Sequence, residues 1–388
     1  AQVLFQLTVL SFVFNTISGF YASIIMAHED MHFFALFSVT EAVLRLGAVL
    51  SIGLVAMEQL VTYGVLLCGL SFGLMVAQWL FCARRYAECG LGPIHLELAT
   101  IRNMLSFASW TILGQISTIS RNQAVTILIN QAFSPATVVA RALAMSISSQ
   151  VITVSGNLSA ALHPPIIKAY ASGDRGQTFD LIFTGSRVSF FFIWAVPLPM
   201  MATMPAILTL WLGDFPDETT LFVRLALLEN AIVAISLPLM TAVRAAGQMR
   251  LYEILLGSLQ LLVLLISWLL VRAGHPAYSV YVVAIFVNLA MLVVRLKLVS
   301  TLTGMSASAY LQEVIFPALL VVGLTSSLTL AVLQIAPGIT ELSLNPGTIL
   351  GAFSLYLLPC SIIYALGLTG RERRAVNAIV RRRLKKSI

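Results

Sequence analysis

The chain has 388 residues, of which 59% are hydrophobic and 10% charged, with a mean hydropathy of +0.94 and a formal net charge of +7. A soluble domain carries about 25% charged residues, so this composition excludes a water-soluble enzyme and makes lipid the main solvent. The basic balance does not point to nucleic acid, because eight Lys/Arg and one Glu between Arg371 and Lys386 account for all of it.

About 20 apolar residues cross a bilayer as a helix, whereas a barrel strand needs only about 10 with alternating polarity. Runs of that helical length, broken by polar or Pro/Gly punctuation, predict eleven spans: A (1–27), B (33–55), C (59–82), D (104–130), E (137–161), F (181–211), G (220–245), H (250–271), I (277–298), J (312–335) and K (348–368). The expected fold is an all-α polytopic membrane protein. Span F is long enough to tilt, with kinks expected at Pro197, Pro199 and Pro205.

Sidedness follows from the basic residues of the loops. With the turn between A and B inside, that side holds Arg84, Arg85, Arg102, Lys168, Arg175, Arg244, Arg250, Arg295, Lys297 and the eight of the tail, against Arg272 alone outside. The C-terminus is then cytoplasmic. The start of span A falls outside, without a signal peptide and at Ala1, so an earlier segment is expected. Residues 28–47 can be laid over 246–265 at an offset of 218, placing Met31 on Met249, Phe34 on Tyr252 and Tyr63 on Tyr281. Spans A to C thus match G to I in length and order, which predicts a repeat.

The organisation read from these features is a partial first lobe (1–82, three spans), a cytoplasmic linker with an interfacial helix (83–103), a second lobe of six spans (104–299), an extra pair (310–368) and a basic amphipathic tail (369–388). The tail places Val376, Ile379, Val380 and Leu384 on one face and arginines around the other, which suits an anionic leaflet; it is either a topology anchor or a docking segment.

No catalytic, nucleotide or metal motif is present. Cys68, Cys82, Cys89 and Cys360 have no metal-ligand spacing and read as packing residues, and the five histidines fall at span ends or in loops. No cofactor or metal is expected, and energy from ATP would need another subunit.

Charges at membrane depth are costly, at least about 2.5 kcal/mol for an arginine, and normally face a bundle interior or a wet cavity. Glu41 and Arg45, at i and i+4 in B, either pair with each other or face a cavity. Arg187 and Arg224 either snorkel from the ends of F and G or face inward. Arg121 stands in mid-D among Gln115, Ser117, Asn122 and other polar residues, and Arg141 opens a span E that also carries Gln150 and Asn157. Helices this polar cannot face lipid all round. A guanidinium in such a cavity suits phosphate or carboxylate, so Arg121 and Arg141 are the candidate anion-binding residues, Gln115, Ser117, Asn122, Gln150 and Asn157 the candidate polar lining, and Glu41 and Glu229 the candidate coupling acids.

The stretches FSPATVVARALAMSISSQV (133–151) and NLSAALHPPIIKAYASGD (157–174) resemble the multidrug/oligosaccharidyl-lipid/polysaccharide exporter superfamily, in particular its bacterial polysaccharide and O-antigen flippase branch. The resemblance implies two six-helix lobes with A to C as helices four to six, hence a transporter bundle with an incomplete, N-terminally truncated first lobe. It implies a multi-pass protein of the bacterial inner membrane that moves a polyprenyl-diphosphate-linked oligosaccharide, such as the repeat unit of lipopolysaccharide O-antigen, by alternating access. Arg121 and Arg141 would hold the anionic headgroup, with Arg45 on the opposing lobe and polysaccharide-assembly proteins as possible partners. An ion-coupled multidrug exporter of the same fold and a non-transporting truncated scaffold stand as the alternatives.

Overall fold

The computed structural model describes residues 2–51, 59–89, 97–335, 346–374 and 377, and contains helices and no strand among them. The chain forms two compact units, Ala1–Leu98 and Ala99–Ile388. It is an all-α polytopic membrane protein: among the described residues, nine helical segments are long and apolar enough to cross a bilayer.

Unit 1 holds α1 (Gln2–Ala27), α2 (Met31–Ser51) and α3 (Gln59–Arg85), followed by a 3-10 turn at Ala87–Cys89. The α1–α2 turn closes with Glu29 in the left-handed region (φ 59°), Asp30 N–H donating to the Ile25 carbonyl and Glu29 N–H to that of Met26. These paired bonds satisfy the last carbonyls of α1. Below the turn, Ile25, Cys82 and Tyr86 are buried among Tyr21, Phe33, Phe37 and Phe81. Asp30 receives hydrogen bonds from Tyr86 Oη at 2.8 Å and Arg85 Nε at 3.0 Å, which hold its carboxyl below the ordinary carboxylate value. Burial, then Asp30, pushes the Tyr86 phenol up to about 12.

Unit 2 holds α4 (Leu98–Ala132), α5 (Pro135–Ala171), α6 (Arg175–Ala195), α7 (Pro197–Leu212), α8 (Glu218–Ile235), α9 (Leu237–Ala245), α10 (Met249–Arg272), α11 (Ser279–Thr303), α12 (Ala307–Tyr310), α13 (Phe316–Ile335) and α14 (Pro346–Ile362). Prolines divide two of the expected spans: F breaks at Val196 before Pro197, and G at Ser236 before Pro238, where a ring would clash with the preceding turn. A π-helical turn, Leu311–Ile315, joins α12 to α13.

Eleven spans were expected, and two of these are not among the nine. Helix α4, which covers D, runs for 35 residues but is too polar to qualify; its Gln115, Arg121 and Asn122 face the cavity described below. Helix α14, in place of K, has 17 residues. The tail residues Val376, Ile379, Val380 and Leu384 and positions 90–96 of the linker lie outside the described residues. Where the tail begins, Thr369 and Glu372 form a capping box: Thr369 N–H donates to Glu372 Oε2 at 2.7 Å and Glu372 N–H to Thr369 Oγ1 at 3.4 Å.

The offset of 218 residues carries helix ends as well as sequence. Ala27, which ends α1, falls on Ala245, which ends α9; Met31 and Met249 begin α2 and α10; Arg85 and Thr303 end α3 and α11. The left-handed Glu29 falls on Gly247 (φ 71°), so one copy fills with glutamate a turn that the other makes with the residue best suited to it. Ser18 donates to Gln78 Oε1 at 2.7 Å between α1 and α3, and its counterpart Ser236 bonds Arg295 of α11.

Candidate functional site

Unit 2 contains a partly open cavity of about 580 Å³ whose wall combines apolar residues with several charged and polar ones. Helical spacing puts its wall together: Gln115, Thr118, Asn122 and Val125 recur on one face of α4, Arg141, Met145, Ser148 and Ile152 on one face of α5, and Glu229, Asn230 and Val233 on one face of α8. Tyr281, Asn288 and Arg295 enter from α11, and Gln260 from α10.

Arg121 does not stand alone as its own helix suggests. Its Nη1 donates to Glu229 Oε1 at 3.1 Å, its Nε and Nη2 donate to Asn122 Oδ1 at 3.2 and 2.9 Å, and Asn288 Nδ2 donates to the same Glu229 oxygen at 3.0 Å. Both side chains of the ion pair are mostly buried.

Arg141 differs. It is 5% exposed, and its hydrogen bonds go to neutral oxygens: Nε to Thr126 Oγ1 at 3.2 Å and Nη2 to the Asn122 carbonyl at 3.4 Å. Its guanidinium carbon lies 5.6 Å from the centre of the Tyr281 ring. It has no carboxylate within ion-pairing distance among the described residues. Among the described residues, the wall of the cavity therefore carries Arg121, Arg141 and Arg295 against Glu229 alone, an excess of positive charge.

Comparison with known protein families finds no matching family model, and comparison with curated proteins finds no matching relative.

Of the expected lining residues, Gln115 and Asn122 are in the wall and three are not. Ser117 packs toward α10, its Oγ 3.1 Å from where a Cβ on Gly257 would lie. Gln150 and Asn157 are exposed. Gln150 follows Arg141 by about two and a half turns, which puts it on the opposite face of α5, and Asn157 falls near the same side. Ser148 and Asn230 take their place, bonded to each other at 2.9 Å.

Arg45 and Glu41 belong to unit 1 and form a 2.6 Å ion pair, the first of their two expected roles. Glu41 also lines a cavity of about 240 Å³ with Ser18 and Gln78. Glu229, the other expected coupling acid, is held by Arg121 and Asn288.

Arg295, counted above among the loop cations although span I (277–298) already contains it, lies within α11, about two turns before its end at Thr303. It lines the cavity, bonds Ser236 through Nη1 and adjoins a smaller polar chamber of about 90 Å³ with Arg244, Tyr252 and Glu253. Gln115, Thr118, Met240, Gln260 and Arg295 line both spaces. Glu253 and Asn288 were missed as site residues: Glu253 stands one turn into α10 and Asn288 in the middle of α11, and the polar side chain of Asn288 within that apolar run was the available signal.

Proposed function

We propose that the protein is a transporter of the bacterial inner membrane, its C-terminus cytoplasmic, that translocates a polyprenyl-diphosphate-linked oligosaccharide by alternating access. The observation that carries the reading is Arg141, a buried guanidinium facing a cavity of about 580 Å³ without a carboxylate partner. Desolvated and bonded only to neutral oxygens, it retains its full charge for a ligand, and its planar fork matches a phosphate. The hydroxyls and amides of Ser148, Ser149, Asn230 and Gln260 offer neutral partners of the kind sugars use.

The multidrug-exporter reading asks for cationic cargo, whereas the large cavity carries three guanidiniums against Glu229, which is itself held by Arg121. The test is complementation of a flippase-deleted bacterium with the complete reading frame. Wild type restores surface polysaccharide, Arg141→Gln abolishes it at equal membrane abundance and Arg141→Lys keeps part. Full function of Arg141→Gln would remove the basis of the proposal.

A further inference from the structure

Among the described residues, three carboxylates line the cavities named above, Glu41 in unit 1 and Glu229 and Glu253 in unit 2. Glu41 is engaged by Arg45 at 2.6 Å, and Glu229 by Arg121 at 3.1 Å and Asn288 at 3.0 Å. Protonating Glu229 would break a mostly buried ion pair, which such a site resists; the Glu41–Arg45 pair is more open, its side chains 37% and 51% exposed. Glu253 makes no hydrogen bond or ion pair among the described residues.

Its surroundings are built for it. The carboxylate lies against α4 at Gly114, where a Cβ would come within 1.8 Å of Oε2, so a residue without a side chain opens the place it occupies. Arg244 of α9, Arg295 of α11 and Tyr252 of α10 are the charged or titratable groups around it, while α4 contributes only the uncharged Gly114, Gln115 and Thr118. Tyr252 is 2% exposed and its hydroxyl has no partner; Gln260 Oε1 and Arg295 Nε are buried and unpartnered as well. Buried polar atoms of this kind are normally satisfied by water, and a chamber of about 90 Å³ has room for a few molecules. The chamber adjoins the large cavity, with Gln115, Gln260 and Arg295 lining both.

We infer that Glu253 is the group in this unit that binds and releases a proton, and that its protonation state sets the affinity of the cavity for an anion. Ionised, Glu253 offsets one of the two guanidinium charges beside it. Protonated, it leaves both to attract negative cargo. The proton moves between water in the chamber and the carboxylate, with no other bond made or broken. Because linkage is reciprocal, an anion in the cavity strengthens proton binding by the same factor as the proton strengthens anion binding. The anion half of this inference rests on the transport reading above; the proton half does not.

The test uses the full chain in lipid nanodiscs. On acidification from about pH 8.5 to about pH 5.5, infrared spectra of wild type and Glu229→Gln gain a protonated-carboxyl band that Glu253→Gln lacks and Glu253→Asp retains at a shifted frequency. An undiminished band in Glu253→Gln overturns the assignment. The binding probe is a short-chain prenyl diphosphate sugar, whose two phosphates are diesters and keep their charge over this range. Wild type binds it on the order of tenfold tighter at the acid end, and Glu253→Gln binds tightly throughout. Persistent pH dependence in Glu253→Gln overturns the linkage. A wild type that shows the band and binds no probe at either pH overturns the anionic-cargo reading and leaves the proton site standing.

Discussion

Arg187 Nη1 donates to the carbonyl oxygen of Glu313 at 2.9 Å, within the π-helical turn and four residues before Pro317, which has no N–H to give that carbonyl. Arg224 repeats the arrangement: its Nε donates at 2.7 Å to the Met201 carbonyl, which Pro205 frees in the same way. Two of the charges at membrane depth are thus explained by prolines in neighbouring helices. Neither belongs to the cavity wall. Arg187 also holds Glu372 through Nη2 at 2.7 Å, which ties the start of the tail to α6. Burial alone would push the Glu372 carboxyl up; the hydrogen bonds of Arg187 and the Thr369 N–H outweigh it and hold the group below its ordinary value.

Removing Arg187, which is 4% exposed, strands a carboxylate and a carbonyl together. Arg187→Ala should cost about 3–5 kcal/mol of resistance to unfolding by a denaturing detergent. Adding Pro317→Ala to that variant restores an N–H to the Glu313 carbonyl and should recover about 1 kcal/mol. Equal loss with and without Pro317 would refute the proline account.

The Arg121–Glu229 pair is open to a double-mutant cycle. Arg121→Gln and Glu229→Gln should each destabilise unit 2, while the double variant loses less than the sum, with a coupling of about 1–3 kcal/mol. Additive losses would mean the two side chains do not act as a pair.

The turn of unit 1 predicts a pH dependence. Asp30 is held below its ordinary value of 3.8 by the hydrogen bonds from Tyr86 and Arg85. A depressed carboxyl stabilises the fold above its unfolded-state value, and the contribution is lost as pH falls through the lower folded value. The melting-temperature difference between wild type and Asp30→Asn should therefore be constant from neutral pH down to the ordinary carboxylate range and shrink below it. A difference that shrinks already near neutral pH would assign the effect to His28 or His32 instead.

Hydropathy made the helices legible because a bilayer demands long apolar runs and leaves few other solutions. The polar face of α4 and the break before Pro197 were legible for the same local reason: amides and prolines act on their own helix. The repeat was faint in identities and became plain only in the helix ends, since Glu29 and Gly247 share a backbone conformation and no side-chain chemistry. The partner of Arg121 was out of reach of any helix-by-helix reading, because Glu229 lies 108 residues away. Prolines hid the roles of Arg187 and Arg224 similarly, by freeing carbonyls on helices that the arginines do not belong to. Ser117, Gln150 and Asn157 show the converse: polar composition marks a helix as cavity-lining, and only its rotation decides which polar residues reach the cavity.

The central claim is that the cation at Arg141 receives anionic cargo, and the most direct measurement is transport in proteoliposomes. Wild type and Arg141→Gln, reconstituted from the complete reading frame at equal density and orientation, would be loaded with a polyprenyl-diphosphate-linked oligosaccharide whose sugar is accessible to a membrane-impermeant glycosidase. The account predicts that wild type moves the sugar across the bilayer and that Arg141→Gln slows this by at least about tenfold, in proportion to the loss of a charge-assisted contact. Equal rates for the two proteins, or no movement above empty liposomes with wild type, would contradict it.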